Sequence, residues 1–261
     1  MNGSRKAILV VSFGTSYVET RIKTIDRIEE DMKERYPDRR VYCAWTSGII
    51  RRKVKERDGL CIPDIMGAMK QIAADGMTEL VVQPTHVING IETDRMMESV
   101  MSGRHLFARV SVGAPLLTTH EDNARIVQVI AGELRPKERE TLGLMGHGTE
   151  HYANSIYAAL DYQFKDAGYP NIFMGTVEAY PALDTLLRRV KEQEPERVIL
   201  APFMIVAGDH AQKDLAGESE DSWKSRFEKE GFKVSCVLKG LGEYAGVREL
   251  LLEHAQTAAE L

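Results

Sequence analysis

Cysteine is scarce in this chain, and its three copies, Cys43, Cys61 and Cys236, are scattered and odd in number. That excludes a disulfide framework, a zinc knuckle and an iron–sulfur cluster. No run of about 18 apolar residues occurs, so no membrane span is expected. Positive charge is not in excess: the formal net charge is −5, which argues against non-specific nucleic-acid binding. A polyanionic ligand would need local cations, and Arg51, Arg52, Lys53, Lys55 and Arg57 form the densest set, read first as a solvated helix face. Residues 1–6 lead directly into an apolar strand with no cleavage-site pattern, so a cytoplasmic protein is expected. Three enzyme signatures are also missing. Without a Walker A sequence there is no nucleotide cradle, without Gly-x-Ser-x-Gly no hydrolase elbow, and without a strand-to-helix GxGxxG no dinucleotide fingerprint.

What is present is alternation. Strand patterns occupy 7–12, 41–45, 79–83 and 109–112, then 141–145, 171–177, 197–201 and 233–238. Helical patterns lie between them, among others at 20–35, 64–74, 154–165, 182–191 and 246–259. Ile8-Leu9-Val10-Val11 and Leu80-Val81-Val82 are continuously apolar, as parallel strands covered on both faces require. An α/β protein of two domains follows, with 1–136 and 137–261 divided at the charged, proline-containing linker 135–140; the last helix of either half is free to cross to the other domain.

The two halves repeat one another. Ser12-Phe13-Gly14-Thr15-Ser16 follows the first strand as Gly146-His147-Gly148-Thr149-Glu150 follows the fifth. The ten residues from Gln83 to Glu92 align without a gap on those from Ala201 to His210, setting Pro84 on Pro202 and Gly90 on Gly208. The same alignment sets His147 on Phe13 and His210 on Glu92. Two copies of one βα unit facing each other across a cleft are expected, and ligands of open parallel sheets bind beyond the carboxyl ends of the strands, where these segments lie. Ser16 and Glu19 have capping-box spacing, which would start the first helix beside a loop whose amides can hold a carboxylate.

Among seven histidines, His105, His120 and His254 stand in helical surroundings without a polar constellation and are read as surface or structural. His86 aligns with Met204, a position open to an apolar side chain, and is read as structural. His147 and His210 differ, because each follows a buried strand in a glycine-bearing loop where filling a core is a poor explanation. Glu178, in Gly175-Thr176-Val177-Glu178-Ala179-Tyr180-Pro181, ends the sixth strand, with Pro181 suited to the first turn of the next helix. Two imidazoles and a carboxylate with open positions suit Co²⁺, Ni²⁺, Fe²⁺ or Zn²⁺, and the lack of thiolates argues against Cu(I) and a closed zinc site. His147 and His151 have i, i+4 spacing, but Gly148-Thr149-Glu150 between them departs from the zincin pattern, leaving His151 as a supporting residue.

On Ile8–Ser16, Val82–His86, Met145–His151, Val206–Ala211 and Asp221-Ser222-Trp223-Lys224, the sequence resembles the anaerobic sirohydrochlorin cobaltochelatases of the CbiK type, within the ATP-independent class II chelatases, over nearly the whole chain. The resemblance implies two similar flavodoxin-like (chelatase-like) domains, each a parallel sheet of about four strands flanked by helices, with the active site in the interdomain cleft. It implies a chelatase of the lyase class that inserts Co²⁺ into sirohydrochlorin without ATP in anaerobic cobalamin biosynthesis. It carries metal ligation to His147, Glu178 and His210; the candidates for catalysis are His147, His210 and Glu92, the last set opposite His210 by the internal alignment. The segment after Gly90 departs from the family pattern, with Ile91-Glu92-Thr93 in place of an acidic residue and an aromatic. Ser12, Phe13, Gly14, Thr15 and Ser16 are the candidates for binding the tetrapyrrole, with Arg51, Arg52 or Arg95 as cations. No cofactor is expected beyond the substrate metal; self-association stays open. So do an iron or nickel chelatase for a related tetrapyrrole and a non-catalytic tetrapyrrole or metal carrier.

Overall fold

The computed structural model describes residues 5–261; Met1 to Ser4, part of the N-terminal segment read above, lie outside the described residues. In chain order the elements are β1 (Lys6–Ser12), α1 (Val18–Arg21), a π-helical turn (Ile22–Asp26), α2 (Arg27–Arg35), β2 (Arg39–Trp45), α3 (Gly48–Asp58), α4 (Ile65–Ala74), β3 (Glu79–Pro84), α5 (Ile91–Gly103) and β4 (Arg109–Val112). There follow α6 (His120–Leu134), β5 (Glu140–Gly146), α7 (Ser155–Asp166), β6 (Ile172–Thr176), α8 (Leu183–Lys191), β7 (Arg197–Pro202), a second π-helical turn (Ala211–Leu215), α9 (Trp223–Lys229), β8 (Lys233–Cys236), α10 (Ala245–Gln256) and β9 (Ala259–Glu260).

The chain forms two compact units: the described residues up to Thr118 together with Val247–Leu261, and Thr119–Gly246. The division falls at 118/119 and 246/247 in place of 136/137, with the last helix of each half grouped with the other half, the crossing that the expected division left open. Helix α6 packs on α7 and stays with the second unit. Helix α10 returns to the first, where Arg248 pairs with Asp31 at 2.6 Å and the Tyr36 hydroxyl donates to the Leu252 carbonyl at 2.5 Å. The helical pattern read to 259 stops at Gln256, and Ala259–Glu260 pairs antiparallel with β4 as a short edge strand.

The first sheet has the order β2-β1-β3-β4-β9, parallel except for β9; the second is β6-β5-β7-β8, parallel throughout. Successive strand side chains point to opposite faces, so Ala7, Leu9 and Val11 join a core with Ile65, Met69, Ile72, Met96 and Val100, while Ile8 and Val10 are buried on the other side. That double burial is why β1 reads as an unbroken apolar run. In the second unit Phe173, Leu186, Val190, Val198, Leu200, Trp223 and Phe227 form the corresponding core.

The repeat seen in the sequence extends to the hydrogen bonds. Ser47 N–H donates to the Phe13 carbonyl at 3.2 Å, and Glu178 N–H to the His147 carbonyl at 3.0 Å. Thr85 N–H donates to Val11 at 2.8 Å and Phe203 N–H to Met145 at 2.7 Å; Leu116 bonds His86 at 2.9 Å and Leu241 bonds Met204 at 2.8 Å. Each pair occupies the same place in its unit.

Two local expectations fail. The Ser16–Glu19 capping box does not form: Tyr17 immediately precedes α1, so Ser16 stands one residue too early, and it is the Thr15 hydroxyl that accepts from Tyr17 N–H at 3.2 Å. Pro181 lies two residues before α8, after a cis peptide bond, and not in its first turn.

Candidate metal centre

Strands β5, β6 and β7 release His147, Glu178 and His210 at their carboxyl ends, around the point where the order β6-β5-β7 sends the chain first one way and then the other. The loop carrying His147 is pressed close by two glycines. A Cβ on Gly146 would lie 2.4 Å from the Tyr157 ring. Gly148 has φ +85°, and a Cβ there would stand 2.9 Å from the Ala179 amide nitrogen. The β5 and β6 loops can therefore run side by side, which brings His147 Nδ1 to 3.6 Å from Glu178 Oε2.

His210 comes from the start of the helical segment after Gly208, and its ring meets that of His147 edge-on, with centroids 4.8 Å apart. One ligand atom from each of His147, Glu178 and His210 lies within 4.8 Å of the others. With metal–ligand bonds of about 2.1 Å, two donors on one ion stand at most about 4.2 Å apart, so the three side chains draw together when they share an ion. Side-chain exposures of 46%, 54% and 33% leave room for further ligands on a bound ion.

The hydrogen bonds orient the rings. His147 Nδ1 is 2.9 Å from the Gly148 carbonyl and His210 Nδ1 is 2.6 Å from Asp214 Oδ2. A carbonyl and a carboxylate only accept, so both histidines carry their proton on Nδ1 and keep a lone pair on Nε2. Asp214 escaped the sequence reading, although its four-residue spacing from His210 is a signal that could have found it.

The remaining candidates stand on other elements. Glu92 is the second residue of α5, in the first unit, paired with Arg95 at 3.0 Å. Ser12 and Thr15 are buried, with the Ser12 hydroxyl accepting from Thr85 at 2.9 Å, whereas Phe13 is 48% exposed. The Ser16 carbonyl accepts from Arg57 at 2.7 Å. Arg51, in α3, sits 3.5 Å from Asp64; most of the other cations of that helix are exposed, as a solvated face requires. His86 is buried and His254 is bonded to the Ala114 carbonyl at 3.1 Å. His151 accepts from Ala153 N–H at 3.2 Å and its ring stacks on Tyr152, so it shapes the turn before α7 and is not one of the three donors.

The family described as cobalt chelatase (CbiK) matches residues 6–260. The chain belongs to the CbiK family. It is 38% identical over 258 residues to the sirohydrochlorin cobaltochelatase of Salmonella typhimurium, covering 98% of this chain and 97% of that protein. It is 32% identical over 263 residues to the sirohydrochlorin cobaltochelatase CbiKC of Nitratidesulfovibrio vulgaris, covering 98% and 91%. Among solved structures it is similar to SirB from Bacillus subtilis with Fe3+, with a TM-score of 0.68 at 12% identity, covering 97% of this chain and 94% of that one. It is also similar to CbiX, described as the terminal enzyme for siroheme biosynthesis in denitrifying bacteria, with a TM-score of 0.61 at 16% identity, covering 97% and 99%. At such identities these structures show a shared chelatase-like fold. As a CbiK-family member the chain is a metal chelatase, and a divalent metal is its substrate. Among the described residues no helix is long and apolar enough to cross a membrane.

Proposed function

We propose that this CbiK-family enzyme inserts Co²⁺ into sirohydrochlorin without ATP, as a step of anaerobic cobalamin biosynthesis, and that His147, Glu178 and His210 capture the ion. The observation that carries the assignment of residues is the convergence of two imidazoles and a carboxylate at the carboxyl ends of three adjacent strands. The names of two relatives that match nearly end to end support the reaction and the ring.

Insertion exchanges two pyrrole N–H protons for one divalent ion. The ion must shed water before it meets the ring, and a donor set of two neutral nitrogens and one carboxylate replaces part of that water. One negative charge leaves the captured ion with a net positive charge. It is then held firmly enough to dehydrate and loosely enough to pass to the more strongly binding deprotonated macrocycle. An imidazole cannot hold the metal and a proton on the same nitrogen, so proton acceptance by His147 follows release of the ion. Glu92 relays protons or holds the ring tilted. Ser12 and Thr15 spend their side chains inside the protein, so the 12–16 loop contributes main-chain amides and the exposed Phe13 face.

Purified protein mixed with sirohydrochlorin and Co²⁺ is expected to turn over many equivalents, followed by the visible spectrum. A colour change that stops at one equivalent would make the chain a carrier and overturn the assignment. His147→Ala, His210→Ala and Glu178→Gln should each lower the rate with limiting Co²⁺ by more than about a hundredfold, since even the groups supporting a metal ligand are worth 10–100-fold. Full activity in any of these folded variants would remove that residue from the site. Competition by Fe²⁺ and Ni²⁺ in the same assay tests the choice of metal.

A further inference from the structure

The repeat offers an internal comparison for the element that carries His210. After β3 the chain runs Gly90-Ile91-Glu92-Thr93-Asp94-Arg95-Met96 in a regular α-helix. After β7 it runs Gly208-Asp209-His210-Ala211-Gln212-Lys213-Asp214-Leu215, and Ala211–Leu215 forms a π-helical turn closed by the Ala216 N–H to Ala211 carbonyl bond at 3.2 Å. The first residues match in burial, with Thr93 and Ala211 both inside. Then the two copies part. Met96, four residues after Glu92, is fully buried; Asp214, four residues after His210, is half-exposed, and Leu215 enters the core in its place. A π turn holds one more residue than an α turn, so it moves the core-facing position from the fourth residue to the fifth. The fourth is freed to face the histidine, and there Asp214 Oδ2 stands 2.6 Å from His210 Nδ1. The neighbouring cation Lys213 pairs with Asp209 at 2.9 Å.

We propose that Asp214, delivered by the π turn, is a positioning residue: it accepts the Nδ1 proton of His210, holds the ring, and presents Nε2 as the metal-binding atom. This rests on the reading of His210 as a ligand. A carboxylate behind an imidazole fixes its tautomer and raises its basicity as a donor. His147 is oriented by a main-chain carbonyl, so a side-chain substitution can reach only the His210 arm.

The test uses the full chain with Asp214→Ala and Asp214→Asn, and His210→Ala as reference. Nitrogen-correlated NMR of the metal-free, histidine-labelled protein should show His210 as the Nδ1–H tautomer in the wild type and in Asp214→Asn, whose amide oxygen still accepts. Asp214→Ala should yield a mixture with the Nε2–H form. Calorimetric titration with Co²⁺ should show binding weakened by about 10–100-fold in Asp214→Ala and largely restored in Asp214→Asn. KM for Co²⁺ should rise in parallel while kcat at saturating Co²⁺ changes by a few-fold. An unchanged tautomer in Asp214→Ala would overturn the proposal, as would equal loss of Co²⁺ affinity in the Ala and Asn variants, which would mark a plain charge effect. If His210→Ala keeps full insertion activity, the functional reading of His210 fails, while the tautomer measurement still decides whether Asp214 holds the ring.

Discussion

His86 donates through Nδ1 to the Thr93 hydroxyl at 3.0 Å, Thr93 donates in turn to the Ile88 carbonyl at 3.2 Å, and Nε2 is buried with no partner among the described residues. Burial outweighs the pull of the Glu92 charge and lowers the His86 pKa to about 4. The unfolded chain takes up that proton near 6.5, so this residue costs stability as pH falls from about 6.5 to about 4. Glu29 on α2 works the other way. Burial, helped by the Asp26 charge, pushes its carboxyl from 4.5 up to about 7, so the fold keeps a proton that the unfolded chain releases, and stability falls as pH rises from 4.5 to about 7. The windows overlap with opposite sign. In the wild type these two contributions offset one another between pH 5 and 6.5. Glu29→Gln removes one and should expose the other, so that its stability rises by on the order of 2 kcal/mol from pH 5 to 6.5. Urea unfolding followed by Trp45 fluorescence, with Trp223→Phe removing the second indole, measures it; a slope matching the wild type would refute the pairing. Periodicity cannot reveal either shift, because each arises from burial by residues distant in the chain.

The loop between β5 and α7 shows how an element, not a side chain, sets the site. Gly148→Ala must accept φ +85° and a Cβ 2.9 Å from the Ala179 nitrogen, so the loops carrying His147 and Glu178 are driven apart. Gly168, at φ +88°, where a Cβ would meet none of the described residues within 4 Å, gives the control: Gly168→Ala carries the left-handed backbone cost of about 1–2 kcal/mol without a clash. Both variants should lower Tm, but only Gly148→Ala should weaken Co²⁺ binding, by about tenfold to a hundredfold, since an ångström of misplacement is worth as much. Equal Co²⁺ affinity in the two would show that the loop spacing is immaterial. The strands and most helices were readable because parallel, doubly covered strands write long apolar runs. The Ser16–Glu19 spacing misled because a cap depends on where the helix begins, and the π turn stayed hidden because one inserted residue only blurs a 3.6-residue period.

At the scale of the whole molecule, the repeat predicts that a second metal site can be installed in the first unit. Phe13, Ser47 and Glu92 occupy the places of His147, Glu178 and His210, with matching backbone hydrogen bonds behind the first two. The triple variant Phe13→His, Ser47→Glu, Glu92→His should bind a second equivalent of Co²⁺ by equilibrium dialysis. The new site should be about 10–100-fold weaker than the original, because Met96 stands where Asp214 supports His210. A folded triple variant that still binds one equivalent would show that matching strand ends do not suffice.

The residues alone announced the α/β class and the repeat and marked His147, Glu178 and His210 as candidates, because apolar runs, glycine-bearing loops and ligand-capable side chains are local marks that survive without neighbours. The motifs around them also carried the resemblance to the family that the comparisons establish. The short strand β9 and the opposed titrations of His86 and Glu29 emerged only in three dimensions, as did which helices cross between the halves, a crossing the sequence had merely left open. Each depends on which distant surface a segment packs against, and that is settled by the burial and hydrogen bonding of the assembled chain, not by spacing along it.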